Sequence, residues 1–418
     1  MLKSKVMFPR IILKKGKEKS LTRRHPWVFS GAISSIDGTV KEGDIVEVYD
    51  FNGVYLATGH YQPSSISVRI FSFTKTEATY QFWVEKFKTA FSLREKLGIS
   101  RDCNVFRLVN AEGDGLPGLI VDYYNGTFVI QAHSAGMYFK IDLFRDILAN
   151  LFAREQVLRK SPVQNDTGGI LLKSVYNKSR DTLPFKSGIE AKDGFIFGGA
   201  FPDNYIVVSE YGWKFMVDIA GGQKTGFFLD QQENRTILKK YARGGKGLDL
   251  FCYLGAWSMH LASAGAEVIG VDASERAVTQ AQKIAEMNGL TERTCFLKDD
   301  VFSFLEKELA STEKKYDFIV LDPPAFVKSS GKIKEAVKAY RELNEMSMRL
   351  IKPGGLLATS SCSYHLSKEM FIDMLNAAGK IARRSLRIIE MRSQGPDHPA
   401  LLSMPETEYL KCAFLIVD

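Results

Sequence analysis

At 418 residues the chain is longer than one hydrophobic core usually supports, so two or three domains are expected. Its 45% hydrophobic and 25% charged content is that of an ordinary globular protein. No apolar run approaches the roughly 18 residues of a membrane span, and the N-terminus lacks the apolar core of a secretory leader, so a cytoplasmic location is expected. The five cysteines are odd in number and never form a C-x-x-C pair, and the six histidines are scattered. That argues against a disulfide framework and leaves no visible ligand set for a metal.

Residues 1–30 hold nine Lys or Arg against the single acid Glu18, an excess of +8 that equals the net charge of the whole chain. A basic charge gathered at one end points to contact with a polyanion. Residues 8–74 read as all-β. Short β-rich runs at 11–13, 27–29, 44–49, 54–60 and 67–73 are separated by turn residues such as Asp37-Gly38, Glu42-Gly43-Asp44 and Asn52-Gly53, which predicts a small barrel. Within it, Leu21-Thr22-Arg23-Arg24-His25-Pro26-Trp27-Val28-Phe29-Ser30-Gly31-Ala32-Ile33 is similar to the opening of the PUA domain at the head of one group of rRNA methyltransferases. That resemblance implies binding to structured RNA, with Arg23 and Arg24 among the contacts.

A helix is expected at 79–96, with Phe82, Val84, Phe87, Ala90, Phe91 and Leu93 near helical spacing and Gly98 as its stop. Strands at 106–110, 119–123 and 127–132, a helix at 138–154 and a strand at 169–177 predict a small α+β domain without visible chemistry. Its turn Gly113-Asp114-Gly115-Leu116-Pro117-Gly118 is similar to one in the same methyltransferase group. The expected domains are therefore 1–74, 75–200 and 201–418.

From residue 201 strands and helices alternate. A hairpin turns over Tyr211-Gly212, and a glycine-rich loop, Gly221-Gly222-Gln223-Lys224-Thr225-Gly226-Phe227-Phe228, leads into a helix. Strand 247–251, the turn Cys252-Tyr253-Leu254-Gly255, a helix and a second strand ending at Asp272 make a nucleotide-binding βαβ unit. The turn has only Gly255 where a dinucleotide fold wants G-x-G-x-x-G. Asp249 inside the first strand would repel a pyrophosphate but suits a cationic amino-acid group. The arrangement resembles motif I of the class I methyltransferases. It implies S-adenosylmethionine as cofactor, Asp272 at the ribose and Asp300 at the adenine, with Lys224, Thr225 and Phe228 completing the pocket.

The run Ile319-Val320-Leu321-Asp322-Pro323-Pro324-Ala325-Phe326 reads as a buried strand that breaks into a stiff ledge carrying a carboxylate and an aromatic face. Such a ledge can hold a flat polar heterocycle. A helix at 335–350 and a strand at 356–360 come next, then Cys362. Two chemistries fit. Methylation of an exocyclic amine needs only the ledge, whereas methylation of cytosine carbon 5 needs a thiolate to add at carbon 6.

Taken together, these motifs resemble the RlmI-type large-subunit rRNA cytosine-5 methyltransferases. The resemblance implies an α/β fold: a Rossmann-like class I methyltransferase domain with a mostly parallel seven-stranded sheet, preceded by a PUA-like barrel and an α+β middle domain. It further implies Cys362 as nucleophile, Asp322 with Pro323, Pro324 and Phe326 at the base, and large-subunit ribosomal RNA as partner, and it leaves a homodimer open. Ala325 stands where many RNA cytosine-5 enzymes carry a second cysteine, which leaves the final base as Asp322, a water or His365. A purine methyltransferase and a non-catalytic RNA-binding assembly factor are the competing expectations.

Overall fold

A computed structural model describes residues 8–152, 169–183, 188–199, 205–310, 315–326 and 333–418. The chain divides into two compact units. The first comprises Met1–Val208, Val217–Leu229 and Pro396–Thr407; the second comprises Ser209–Met216, Asp230–Gly395 and Glu408–Asp418. Three pieces of the expected third domain, residues 201–208, 217–229 with the glycine-rich loop, and 396–407, thus belong to the first unit.

The first unit carries two sheets. Strands β1 (Arg10–Leu13), β2 (Trp27–Phe29), β3 (Ile33–Asp37), β4 (Ile45–Tyr49), β5 (Tyr55–Tyr61) and β6 (Ile66–Ser72) form a six-stranded sheet in the order β2-β6-β5-β4-β1-β3. Its core is Ile11, Leu13, Val28, Val46, Val48, Ala57, Val68 and Ile70. The predicted runs supply five of these strands; β3 went unseen because its residues are largely exposed and lack alternation. The helix Tyr80–Lys96 is N-capped by Thr79, as its periodicity predicts.

Strands β7 (Val105–Asn110), β8 (Leu119–Tyr124), β9 (Thr127–Ala132), β10 (Ser174–Asn177) and β11 (Gly194–Phe197) form the second sheet. The helix expected at 138–154 is Ile141–Phe152 after a short turn Ala135–Tyr138; its expected last residues lie outside the described ones. Two buried bidentate ion pairs fix the turn region, Arg94 with Asp114 and Arg107 with Asp122. Strands β12 (Ile206–Glu210) and β13 (Trp213–Val217) form the predicted hairpin, with Tyr211 and Gly212 both at positive φ.

The second unit is built on seven strands: β14 (Lys246–Leu250), β15 (Glu267–Asp272), β16 (Thr294–Lys298), β17 (Tyr316–Leu321), β18 (Ile351–Ser361), β19 (Leu386–Arg392) and β20 (Lys411–Val417). Their order is β16-β15-β14-β17-β18-β20-β19. The first five are parallel, and β20 runs antiparallel to both β18 and β19. Leu248, Leu250, Ile319, Val320 and Leu321 are at most 1% exposed, as expected for central strands covered on both faces. Strand β18 starts earlier than predicted and runs through Lys352-Pro353-Gly354-Gly355, absorbing those residues in a register shift against β17. Among the described residues no helix is long and apolar enough to cross a membrane.

One buried polar cluster locks this unit. Arg235, on the helix Gln232–Leu238, donates two bonds of 2.7 Å to Glu210, whose Oε1 also lies 3.0 Å from His260 Nε2. Burial works to raise the Glu210 pKa, yet Arg235 and His260 hold it at about 2. Its contribution to stability is therefore complete above the ordinary glutamate range and is lost as pH falls toward 2. Glu210→Gln strands a buried guanidinium, and thermal or denaturant unfolding should show a loss of about 3–5 kcal/mol. Unchanged stability would mean that the cluster does not bind the unit together.

Candidate active site

In a parallel sheet ligands bind beyond the carboxyl ends of the strands, where the strand order reverses. Here the reversal lies between β14 and β17, neighbours that pair Leu250 with Leu321. The chain leaves β14 through a strained turn, with Phe251, Tyr253 and Gly255 all at positive φ. A side chain at Gly255 would meet the Phe296 ring at 2.8 Å, so glycine is required on both counts.

Asp249 is fully buried on β14. Its Oδ2 accepts from the Ser258 backbone N–H at 3.0 Å and the Ser258 hydroxyl at 2.6 Å, while Oδ1 has no partner among the described residues. Burial pushes its pKa up to about 7, with Asp322 and Asp272 adding to the effect. Asp272 ends β15, where its two oxygens accept from the backbone N–H groups of Tyr253 and Ser274. Asp300 caps the helix Val301–Leu309 by accepting from the Ser303 N–H at 3.0 Å. The other expected cofactor residues belong to the first unit. There Thr225 is buried and donates to Asp122 at 2.6 Å, and the Lys224 ammonium lies 4.6 Å from the centre of the Phe228 ring.

Asp322 directly succeeds β17. Its Oδ1 accepts from Gln231 Nε2 and its Oδ2 from Trp257 Nε1, each at 3.1 Å. Gln231 is itself held, donating to Ser360 Oγ at 3.1 Å and accepting from Asn234 at 2.7 Å. Burial raises the Asp322 pKa against the lowering effect of the Trp257 bond. Beyond it, Phe326 lies against Tyr340 with ring centres 4.8 Å apart. The Tyr340 hydroxyl donates to the Pro324 carbonyl at 3.3 Å and lies 3.0 Å from Ser363 Oγ. One phenol thus ties the proline ledge to the segment that carries Cys362, which is half-buried just past β18.

The second unit therefore brings together Asp249, Gly255, Asp272, Asp322, Pro323, Pro324, Phe326 and Cys362 on one rim. Gln231, Trp257 and Tyr340 belong to the same constellation and were missed, since their roles come from partners far along the chain. Arg23 and Arg24 are exposed on the six-stranded sheet's unit, Arg24 with its guanidinium 4.9 Å from the Phe73 ring centre. Among the described residues no group of three or more His, Cys, Asp or Glu could hold a metal ion.

Residues 195–405 match the family model described as S-adenosylmethionine-dependent methyltransferase, and residues 11–73 match that of a PUA-like domain. The chain belongs to the S-adenosylmethionine-dependent methyltransferases. It is 37% identical over 97% of its length to ribosomal RNA large subunit methyltransferase I of Aeromonas hydrophila, 98% of which is covered. It is 35% identical over 97% of its length to the protein of that name from Erwinia tasmaniensis, again with 98% covered. A solved structure from Streptococcus mutans, described as a SAM-dependent methyltransferase, superposes with a TM-score of 0.80 at 20% identity, covering 98% of this chain and all of that one. A second, described as a methyltransferase complexed with SAH, gives 0.82 at 19% identity, with 98% and 100% covered. At these identities the likeness concerns the fold alone.

The methyltransferase's cofactor is S-adenosylmethionine, and the chemistry of this rim suits it. The buried Oδ1 of Asp249, without a partner among the described residues, calls for a cation, a charge that the cofactor's amino group carries. That partnership needs the Asp249 carboxylate ionised and the α-amino group protonated. Affinity should therefore peak between about pH 7 and the amino pKa of about 7.7–8.0, and weaken as pH falls below 7. Calorimetric titrations across pH, repeated in buffers of different ionisation enthalpy, should show proton release near pH 7 that Asp249→Asn abolishes. An affinity that stays flat over about two pH units centred on the Asp249 pKa would contradict the assignment.

Proposed function

We propose that this methyltransferase modifies carbon 5 of a cytosine in large-subunit ribosomal RNA, using Cys362 as a covalent nucleophile. The observation that carries the proposal is the tie through Tyr340, which sets Cys362 beside the Asp322-Pro323-Pro324 ledge. The RNA and the large subunit are supported by the name that relatives carry over nearly their whole length, by the PUA-like match and by the basic head.

Cytosine carbon 5 is a poor nucleophile until carbon 6 carries an adduct. The Cys362 thiolate adds to carbon 6, forming a C–S bond and moving the ring's electron pair onto carbon 5. S-adenosylmethionine, when bound, supplies an electrophilic methyl group for the carbon so activated, with Asp249, Asp272 and Asp300 as its holders. Asp322 then takes the carbon 5 proton, the double bond re-forms and the thiolate leaves. Burial raises the basicity of Asp322, and its donors Gln231 and Trp257 fix its orientation.

A base in structured RNA must be unstacked to reach the rim, at a cost of a few kcal/mol. Phosphate contacts from Arg23, Arg24 and the neighbouring lysines would offset that cost. RNA affinity should accordingly drop steeply between low and moderate salt, and Arg23→Ala with Arg24→Ala should flatten the slope by about 2. Filter binding across a salt series measures both.

Incubation with ribosomal RNA containing 5-fluorocytosine and cofactor should trap a covalent complex, because fluorine blocks loss from carbon 5. Cys362→Ala should abolish both the complex and turnover. Turnover that survives in Cys362→Ala would move the enzyme to an amine or purine substrate.

A further inference from the structure

Strand β20 is Lys411-Cys412-Ala413-Phe414-Leu415-Ile416-Val417, apolar except at its first residue. Lys411 is nonetheless 6% exposed. Burying an ammonium in such a strand costs several kcal/mol unless something pairs with it. Its amine donates to the carbonyls of Ser363 at 2.7 Å and Tyr409 at 2.8 Å, and these are neutral dipoles. They satisfy two of its three protons and none of its charge.

The register shows where the charge is directed. Lys411 pairs with Ser361 across the antiparallel β18–β20 ladder. Its amine grips the carbonyl of Ser363. The residues before and after Cys362 are thus both held by the one lysine.

We propose that Lys411 is the positioning residue for the nucleophile: with its backbone paired to Ser361 and its ammonium bonded to the Ser363 carbonyl, it holds the Cys362 side chain between them as a thiolate. The proposal rests on the covalent role of Cys362 and deepens it. The thiol proton passes to solvent, the sulfur keeps the electron pair, and an ammonium–thiolate pair remains. Burial lowers the lysine's own pKa to about 8, while the charges of Cys362 and then Glu408 push it back up. Among the described residues, the Tyr340 phenol from the helix Ile333–Leu350, kept protonated by burial, and Glu408 ahead of β20 act on the pair. The neighbouring thiol of Cys412 takes no such part: burial pushes it up to about 12, so it stays protonated.

The test is the pH dependence of Cys362 alkylation by iodoacetamide in the full-length protein without RNA, quantified at that residue by peptide mass spectrometry. Wild-type protein should alkylate with a midpoint at least one unit below the ordinary thiol value of about 8.5. Lys411→Gln retains an amide donor for the carbonyls but lacks the charge. It should raise the midpoint by about one unit, slowing alkylation at pH 7 roughly tenfold. Lys411→Arg should restore the low midpoint. A wild-type midpoint at 8.5 overturns the proposal without any variant. So does a Lys411→Gln midpoint equal to wild type, which would make the lysine a strand clasp only. The 5-fluorocytosine complex separates the two levels. If it forms while the midpoint is insensitive to Lys411, this inference fails and the covalent reading stands. If Cys362→Ala turns over normally, both fail.

Discussion

Two carboxylates at the ends of neighbouring parallel strands set the terms for the second unit. Asp249 and Asp322 stand where β14 and β17 deliver them, Asp249 fully buried and Asp322 half-buried just past the buried end of β17. Burial raises the proton affinity of both, and the charge of Asp322 raises that of Asp249 further. A fold can tolerate that only by supplying donors or leaving room for a cation. It does one for each acid. Asp322 receives Gln231 and Trp257, whereas Asp249 receives Ser258 on one oxygen and is left open on the other.

This division has consequences along the chain. Gln231 can reach Asp322 only because Asn234 and Ser360 hold its amide in one orientation. Arg235, one residue beyond Asn234, would bring a cation to the acids, but Glu210 binds it bidentately. The cluster of Glu210, Arg235 and His260 therefore commits the buried guanidinium to Glu210 and leaves it only a lesser pull on Asp322. Burial works to lower the Arg235 pKa, and the charge of Glu210, more than those of Asp230 and Asp322, raises it. The open oxygen of Asp249 consequently remains the place where a positive ligand gains most.

Much of this was legible in the sequence because it depends on local pattern. An apolar run that ends in Asp322-Pro323-Pro324 must leave the sheet there, and a single glycine in the turn after Asp249 distinguishes the cofactor class. The order of strands carrying Asp249, Asp272, Asp322 and Cys362 comes from the alternation of strands and helices. The contacts that escaped depend on distance. Gln231 meets Asp322 across 91 residues and Trp257 meets it across 65, and nothing at either position marks the pairing. Thr225 looked like a cofactor contact because it lies in a glycine-rich loop. Its hydroxyl donates to Asp122, 103 residues earlier within the first unit, a partner that no local pattern marks. Strands β19 and β20 escaped for another reason: they add antiparallel pairs to a parallel sheet, and the lysine that begins β20 acquires meaning only from the register with β18.

Tyr340 supplies the last link between the ledge and the segment that carries Cys362. An amine methyltransferase needs the ledge rigid and is indifferent to the residues beyond the next strand. Covalent catalysis has a stricter demand, because a thiolate must approach carbon 6 from one face while the ledge fixes the ring edge-on. Errors in the two supports would otherwise add. A single phenol bonded to Pro324 on one side and to Ser363 on the other makes the supports move together. Burial keeps that phenol protonated, so it donates to the Pro324 carbonyl and stands beside Ser363 Oγ throughout the neutral pH range. Under the proposed covalent mechanism Ala325 brings no second thiol to the ledge, and the last proton would pass to Asp322, which Gln231 and Trp257 hold in one orientation.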